Sequence, residues 1–122
     1  MKYVIMFTSQ PELDAAVPEE RQQEIYQQIF AWFGEHQSQI ADGGEELQPP
    51  STATTVKSPT EPGGEPIVVD GPFSEAKEAV GGFSIIDVPD LDAAIKMVRT
   101  WPSFQVPGVA VEIRPIVDHS GG

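Results

Sequence analysis

The chain contains no cysteine. Disulfide staples, thiolate metal cages and thiol nucleophiles are therefore excluded, a disulfide-dense secreted scaffold is ruled out, and a reducing compartment, the cytoplasm, is expected. Basic residues are also scarce. Against 19 Asp and Glu stand 7 Lys and Arg among 122 residues, a formal charge of 7 − 19 = −12. So negative a surface repels phosphate backbones and anionic headgroups, which argues against direct nucleic-acid or membrane binding. No apolar run nears the roughly 20 residues that span a bilayer. The opening Met1-Lys2-Tyr3-Val4-Ile5-Met6-Phe7 is too short for a signal-peptide core. The only two histidines, His36 and His119, lie far apart, so no zinc site is expected, although a carboxylate site for a hard cation such as magnesium stays open. The strings GxGxxG, GxxxxGK(S/T), GxSxG and HExxH are missing, and with them the common phosphate cradles and hydrolase signatures. No cofactor is expected.

What is present reads as one domain over residues 1–117, with a frayed tail at 118–122. Residues 2–7 form a β-prone run apolar on both faces, stopped by Thr8-Ser9-Gln10-Pro11. Pro18 with Glu19 and Glu20 opens a helix that the spacing of Ile25, Ile29, Trp32, Phe33 and Ile40 carries to about residue 41; Gln22, Gln23, Gln27, Gln28, Glu35 and Gln39 give it a wet face. Asp42-Gly43-Gly44 breaks it, and residues 45–50 read as a loop or short bridge. Two β-prone runs, 52–57 and 66–70, flank Ser58-Pro59-Thr60-Glu61-Pro62-Gly63-Gly64 and predict a surface hairpin. A strand at 82–88 follows Gly81-Gly82, where glycine serves a bulge or a close backbone approach. Pro89-Asp90 caps a second helix with Leu91, Ala94, Ile95, Val98 and Trp101 on one side, ended by Pro102. The last strand, 109–116, alternates Val109, Val111 and Ile113 against Glu112 and Arg114.

The order β-α-β-β-β-α-β predicts an α+β, ferredoxin-like plait with an antiparallel sheet, both helices on one face and an enlarged central hairpin. Because the first strand is apolar on both faces, a second subunit is expected to cover the other face of the sheet, making a homodimer.

The most distinctive string is Asp70-Gly71-Pro72-Phe73 with Glu75, Lys77 and Glu78, then Gly81-Gly82-Phe83. It resembles the signature of the DGPF family within the YCII-related group. The agreement extends to Gly44-Glu45 and Leu47, to Ala53-Thr54-Thr55-Val56, to Ile86-Asp87-Val88, to Asp90-Leu91-Asp92 with Ala94, and to Val111-Glu112-Ile113-Arg114-Pro115-Ile116. Where that family often has Ala-Gly at the end of the first helix, this chain has Ser38-Gln39. The resemblance implies a dimeric α+β barrel. Relatives described beside extracytoplasmic-function sigma factors further imply a regulatory setting with a protein partner in transcription. The His and Asp proposed as a catalytic pair in other YCII-related proteins are not matched here, since His36 falls close to the helix end.

Read by themselves, these residues offer several uses. Asp70 ends a strand before a Gly-Pro turn, where its carboxylate serves as a general base or ligand anchor, or else opens the turn by accepting a backbone N–H. Gly71, Pro72 and Phe73 would then shape the site, or Phe73 would pack in the core. Glu45 is the candidate partner of Asp70, since acid/base work needs two carboxylates in contrasting environments. Arg114 is placed to hold a carboxylate ligand, or to pair with Glu112 or Asp87. His36 lies along the apolar stripe as a hydrogen-bonded histidine or a titrating catalytic group. Glu75, Lys77 and Glu78 bind a polar ligand or form a solvated charge cluster. Tyr3, Trp32 and Phe83 are candidates for either pocket or core. Two functional classes follow: a dimeric ligand-binding or regulatory module for a small polar ligand, its pocket lined by Asp70, Phe73, Glu45 and Arg114, or a small-molecule enzyme with Asp70 as general acid/base, helped by Arg114 or His36.

Overall fold

A computed structural model describes residues 1–73 and 78–119. Strand β1 (Lys2–Ser9) lies at the centre of a four-stranded sheet with the order β2-β5-β1-β6, built with β2 (Ile40–Glu46), β5 (Ala79–Asp87) and β6 (Ala110–Pro115). All three ladders are antiparallel. A short helix α1 (Pro11–Asp14) and a long helix α2 (Glu19–Glu35) connect β1 to β2, and α3 (Leu91–Val98) connects β5 to β6. This is the ferredoxin-like α+β arrangement. Two parallel strand pairs, β1 with β2 and β5 with β6, are each joined by a helical crossover and interleaved.

The alternation along β1 decides which face is core. Tyr3 and Ile5 are buried, as are Ser84 and Ile86 in register with them on β5, and these meet Trp32 of α2 with Ala94, Met97 and Val98 of α3. Trp32 is satisfied at its polar end: its Nε1–H donates to Thr100 Oγ1 at 2.8 Å, and the Thr100 hydroxyl donates to the Met97 carbonyl at 2.7 Å. The opposite face carries Val4, Met6 and Ile85, each half-exposed, beside an exposed Arg114–Glu112 ion pair. One face is therefore closed by helices, and the other lies open in the single chain.

Helix boundaries follow local chemistry. Pro18, with φ of −57°, precedes an acidic first turn at Glu19 and Glu20, as the sequence predicts. Asp90 caps α3 by accepting the Ala93 N–H at 2.9 Å. The expected continuation of α2 to residue 41 is not seen. The helix ends at Glu35 with His36 as its cap, residues 37–39 make a 3₁₀ turn, and Ile40 belongs to β2, paired with Ile86. The Asp42-Gly43-Gly44 string does not end a helix but bends a strand. Register shifts fall on both sides of Asp42, Gly44 has φ of +70°, and the Asp42 carboxylate accepts the Gly44 N–H at 2.8 Å. Residues 45–46, expected in a loop or short bridge, are the last residues of this strand.

The hairpin of β3 (Thr54–Lys57) and β4 (Ile67–Asp70) forms where expected, but it is a separate two-stranded sheet inserted between β2 and β5. The plait's own second strand is β2, with β5 as its neighbour.

The cleft between helix α2 and strand β2

A cleft of about 460 Å³ opens between the sheet and α2 on the β2 side. Its floor is aromatic. Phe7 stacks on Trp101 with ring centres 4.1 Å apart, and Phe33 meets both rings edge-on at 6.4 and 5.9 Å. Residues four and three apart on α2, Tyr26, Phe30 and Phe33, continue the wall outward, Tyr26 and Phe30 touching edge-to-face at 5.5 Å. Both stand well exposed, at 49 % and 69 % of their surface, so these two rings are unused by the core and border the opening, while Phe33 packs against it.

The wall across from α2 is backbone-rich because glycine lets two strands come close. A Cβ built on Gly44 would lie 1.7 Å from the Phe83 carbonyl oxygen, and one on Gly82 would lie 2.8 Å from the Glu45 carbonyl oxygen. The expectation of a close approach at Gly81-Gly82 is met at Gly82. Ser84 ties the bend down by donating its hydroxyl hydrogen to the Gly43 carbonyl at 2.7 Å. A third wall, Ser103, Val106 and Val109, is held against α2 through Gln105, whose Nε2 donates to Gln28 Oε1 at 2.6 Å and whose Oε1 accepts from Arg21.

Among the described residues three acidic ones border the cleft: Asp14 at the end of α1, and Glu45 and Glu46 on β2, of which Glu46, level with Gly82 and Phe7, is on the helix side of the sheet. The Tyr26 hydroxyl donates to Glu46 Oε2 at 2.8 Å. That hydrogen bond first, then the carboxylate charge, then desolvation hold the Tyr26 phenol above its ordinary pKa of 10.0. Tyr26 is thus kept protonated across the physiological range and acts as a fixed donor to Glu46 rather than as a base.

Among the residues singled out in the sequence, Glu45 and Phe83 border the cleft, whereas Asp70, Gly71, Pro72, Phe73, Arg114 and His36 do not. Asp70 is exposed at the end of β4, paired with Thr54, and Glu45 lies on β2 facing Phe83, so the two carboxylates belong to different sheets. Gly71, with φ of +110°, forms the turn after Asp70: its N–H donates to the Ala53 carbonyl at 2.8 Å, and its carbonyl accepts the Thr55 hydroxyl at 2.7 Å. Phe73 is 84 % exposed and packs in no core. Arg114 pairs with Glu112 on the open sheet face. His36 lies half-buried with its Nδ1 2.8 Å from the Trp32 carbonyl and its ring 4.6 Å from the Trp32 ring. Tyr3 and Trp32 are core residues. Glu75 and Lys77 lie outside the described residues. Tyr26 and Glu46 were not among the sequence candidates. The signal for Tyr26 was the second aromatic stripe Tyr26, Phe30, Phe33, running beside the core stripe Ile25, Ile29, Trp32.

The model of the YCII-related domain family matches residues 1–120. The chain belongs to the YCII-related family. An uncharacterised protein of Rhizobium meliloti (strain 1021) is 36 % identical over 76 residues, 62 % of this chain and 59 % of that protein, so the matched stretch spans about three-fifths of the relative's length. The 5-chloro-2-hydroxyhydroquinone dehydrochlorinase of Burkholderia phenoliruptrix AC1100, solved with 2,5-dihydroxybenzoquinone, superposes with a TM-score of 0.51 at 16 % identity, covering 99 % of this chain and 97 % of its own. At that identity the likeness concerns the fold, and it agrees with the ferredoxin-like α+β arrangement found here. Among the described residues no helix is long and apolar enough to cross a membrane, and no group of three or more His, Cys, Asp or Glu is arranged to hold a metal ion.

Proposed function

We propose that this YCII-related chain is a dimeric small-molecule-binding module whose ligand lies in the cleft between α2 and β2. The observation that carries the reading is the aromatic wall of Tyr26 and Phe30, left exposed over a cleft of about 460 Å³, within the size range of ligand sites. Aromatic side chains with so much exposed surface gain by burial against a ligand, and the Tyr26–Glu46 pair supplies an oriented polar group at the same place. The dehydrochlorinase, which shares the fold and was solved with a small cyclic ligand, adds the support of analogy.

The dimer half of the proposal rests on the open sheet face. Val4, Met6 and Ile85 form its apolar centre, and Glu112 with Arg114 places both signs of charge beside them, a self-complementary arrangement suited to a second copy. Light scattering during size-exclusion chromatography should give twice the 13.2 kDa chain mass, and a mass of one chain at micromolar protein would overturn this half.

A fragment screen by thermal shift, repeated with Ser103→Trp, tests the binding half. Ser103 borders the cleft, and an indole there fills it. Ligands that raise the melting temperature of the natural chain should lose that effect in the folded variant; an unchanged response would place binding elsewhere. An enzyme resting on Asp70 draws no support from this geometry, because Asp70 stands on the hairpin outside the cleft.

A further inference from the structure

The cleft has an asymmetry of charge that its size and aromatic floor do not require. Asp14, Glu45 and Glu46 border it, and among the described residues that do so none is Lys, Arg or His. Arg21, on the same helix as Tyr26, is engaged with Glu24 and Gln105, and Arg114 pairs with Glu112 on the other face of the sheet. The whole chain deepens the same field, with 19 acidic residues against 7 basic ones. A cleft lined by one sign of charge concentrates ligands of the opposite sign and opposes those of its own.

The polar group at the mouth points the same way. Tyr26 spends its hydroxyl hydrogen on Glu46, so toward a ligand the phenol oxygen and both Glu46 oxygens act as acceptors. The aromatic rings add a second preference of the same sign, since a cation within about 6 Å of a ring face is drawn by its quadrupole. A purely apolar ligand uses only the floor, and an anion meets the Glu46 carboxylate. A ligand with an apolar body and a positive charge uses both.

Resting on the cleft as the ligand site, we propose that it selects organic cations, small arylammonium or alkylammonium compounds. The apolar body lies on Phe7, Phe33 and Trp101, and the ammonium group is held by Glu46 beside the Tyr26 ring.

A series with one aryl body and three charges tests this: 2-phenylethylamine, 2-phenylethanol and 3-phenylpropanoate, titrated into the 122-residue chain near neutral pH and followed by amide NMR. The amine should bind about tenfold tighter than the alcohol, and the carboxylate weakest of the three, as one or two part-exposed charge contacts allow. The amine's advantage should shrink as salt rises from about 20 mM to about 200 mM, since the Debye length falls from roughly 20 Å to about 7 Å. In Glu46→Gln the advantage should fall to about threefold or less while the alcohol's affinity holds; the salt series tests the same point without a variant. An alcohol binding in the cleft as tightly as the amine, or a carboxylate binding tightest, overturns charge selection and leaves the cleft as a binding site. If none of the three perturbs the cleft amides, both the selection and the reading it rests on fail.

Discussion

The bend in β2 makes a sharp prediction for Gly44→Ala. At φ of +70° this residue occupies the left-handed region, which costs a residue with a Cβ about 1–2 kcal/mol. The new methyl would also lie 1.7 Å from the Phe83 carbonyl oxygen and 2.6 Å from its carbon, both backbone atoms that no rotamer change can move aside. Shifting β2 from β5 to relieve this resembles overpacking, at a further 1–3 kcal/mol or so. The sum is roughly 2–5 kcal/mol, a large part of the 5–15 kcal/mol or so by which ordinary domains are stable. With a urea m-value of about 1.5 kcal/mol/M, the unfolding midpoint should fall by roughly 1.3–3.3 M. Gly43→Ala is the matched control: nothing lies within 4 Å of its built Cβ and its φ is not positive, so its midpoint should move by less than about 0.5 M. Equal midpoints for the two variants, followed by circular dichroism, would refute the close approach of β2 to β5, and with it the backbone wall of the cleft.

Further predictions concern other parts of the same frame. In a Tyr3→Phe background, absorbance at the phenolate band should show Tyr26 ionising above its ordinary 10.0, and Glu46→Gln should move the transition down; no movement would break the Tyr26–Glu46 assignment. Because the folded-state pKa is raised, the pair's support for the fold is whole below pH 10 and is lost as pH climbs through the raised value. Asp90→Ala removes the acceptor of the Ala93 N–H and should cost about 1 kcal/mol in urea unfolding, with Asp90→Asn close to the natural chain. Trp101→Ala removes a nearly buried ring that stacks on Phe7, and a loss of about 3–5 kcal/mol is expected, together with the loss of ligand response at the cleft floor.

The readable parts of the fold were those where local chemistry and tertiary structure agree. Asp90 caps α3, Pro18 precedes α2, and the alternation of Val111 and Ile113 against Glu112 and Arg114 reports which face of β6 meets the core. Strand β2 was hidden because two signals pointed away from it. Ile40 lies seven residues after Phe33 and so continues the helical stripe, and Asp42-Gly43-Gly44 reads as a stop. Only the partner strand, with Ile86 receiving Ile40 and Phe83 receiving Glu45, turns that segment into a bulged strand. The hairpin was readable as a hairpin, but nothing in its residues tells that it stands apart from the main sheet.

For the site, the conspicuous Asp70-Gly71-Pro72-Phe73 string drew the eye to a turn on the hairpin, whereas the cleft is built from residues whose separate appearances are ordinary. Tyr26 lies among Gln22, Gln23, Gln27 and Gln28 along the sequence, and Glu46 is one of a pair of acids after two glycines. Their meeting at 2.8 Å depends on α2 and β2 lying side by side, a tertiary fact to which no spacing within either segment refers.

The central claim, that the cleft between α2 and β2 is where this YCII-related chain takes its ligand, is tested most directly by mapping amide chemical shifts while 2-phenylethanol, which carries no charge, is added. The account predicts perturbations at residues 43–46, 81–84 and 26–33, with the turn at 70–73 and the open face at Val4, Met6 and Arg114 unmoved. Perturbations confined to the turn at 70–73, or spread along the open sheet face, would contradict it.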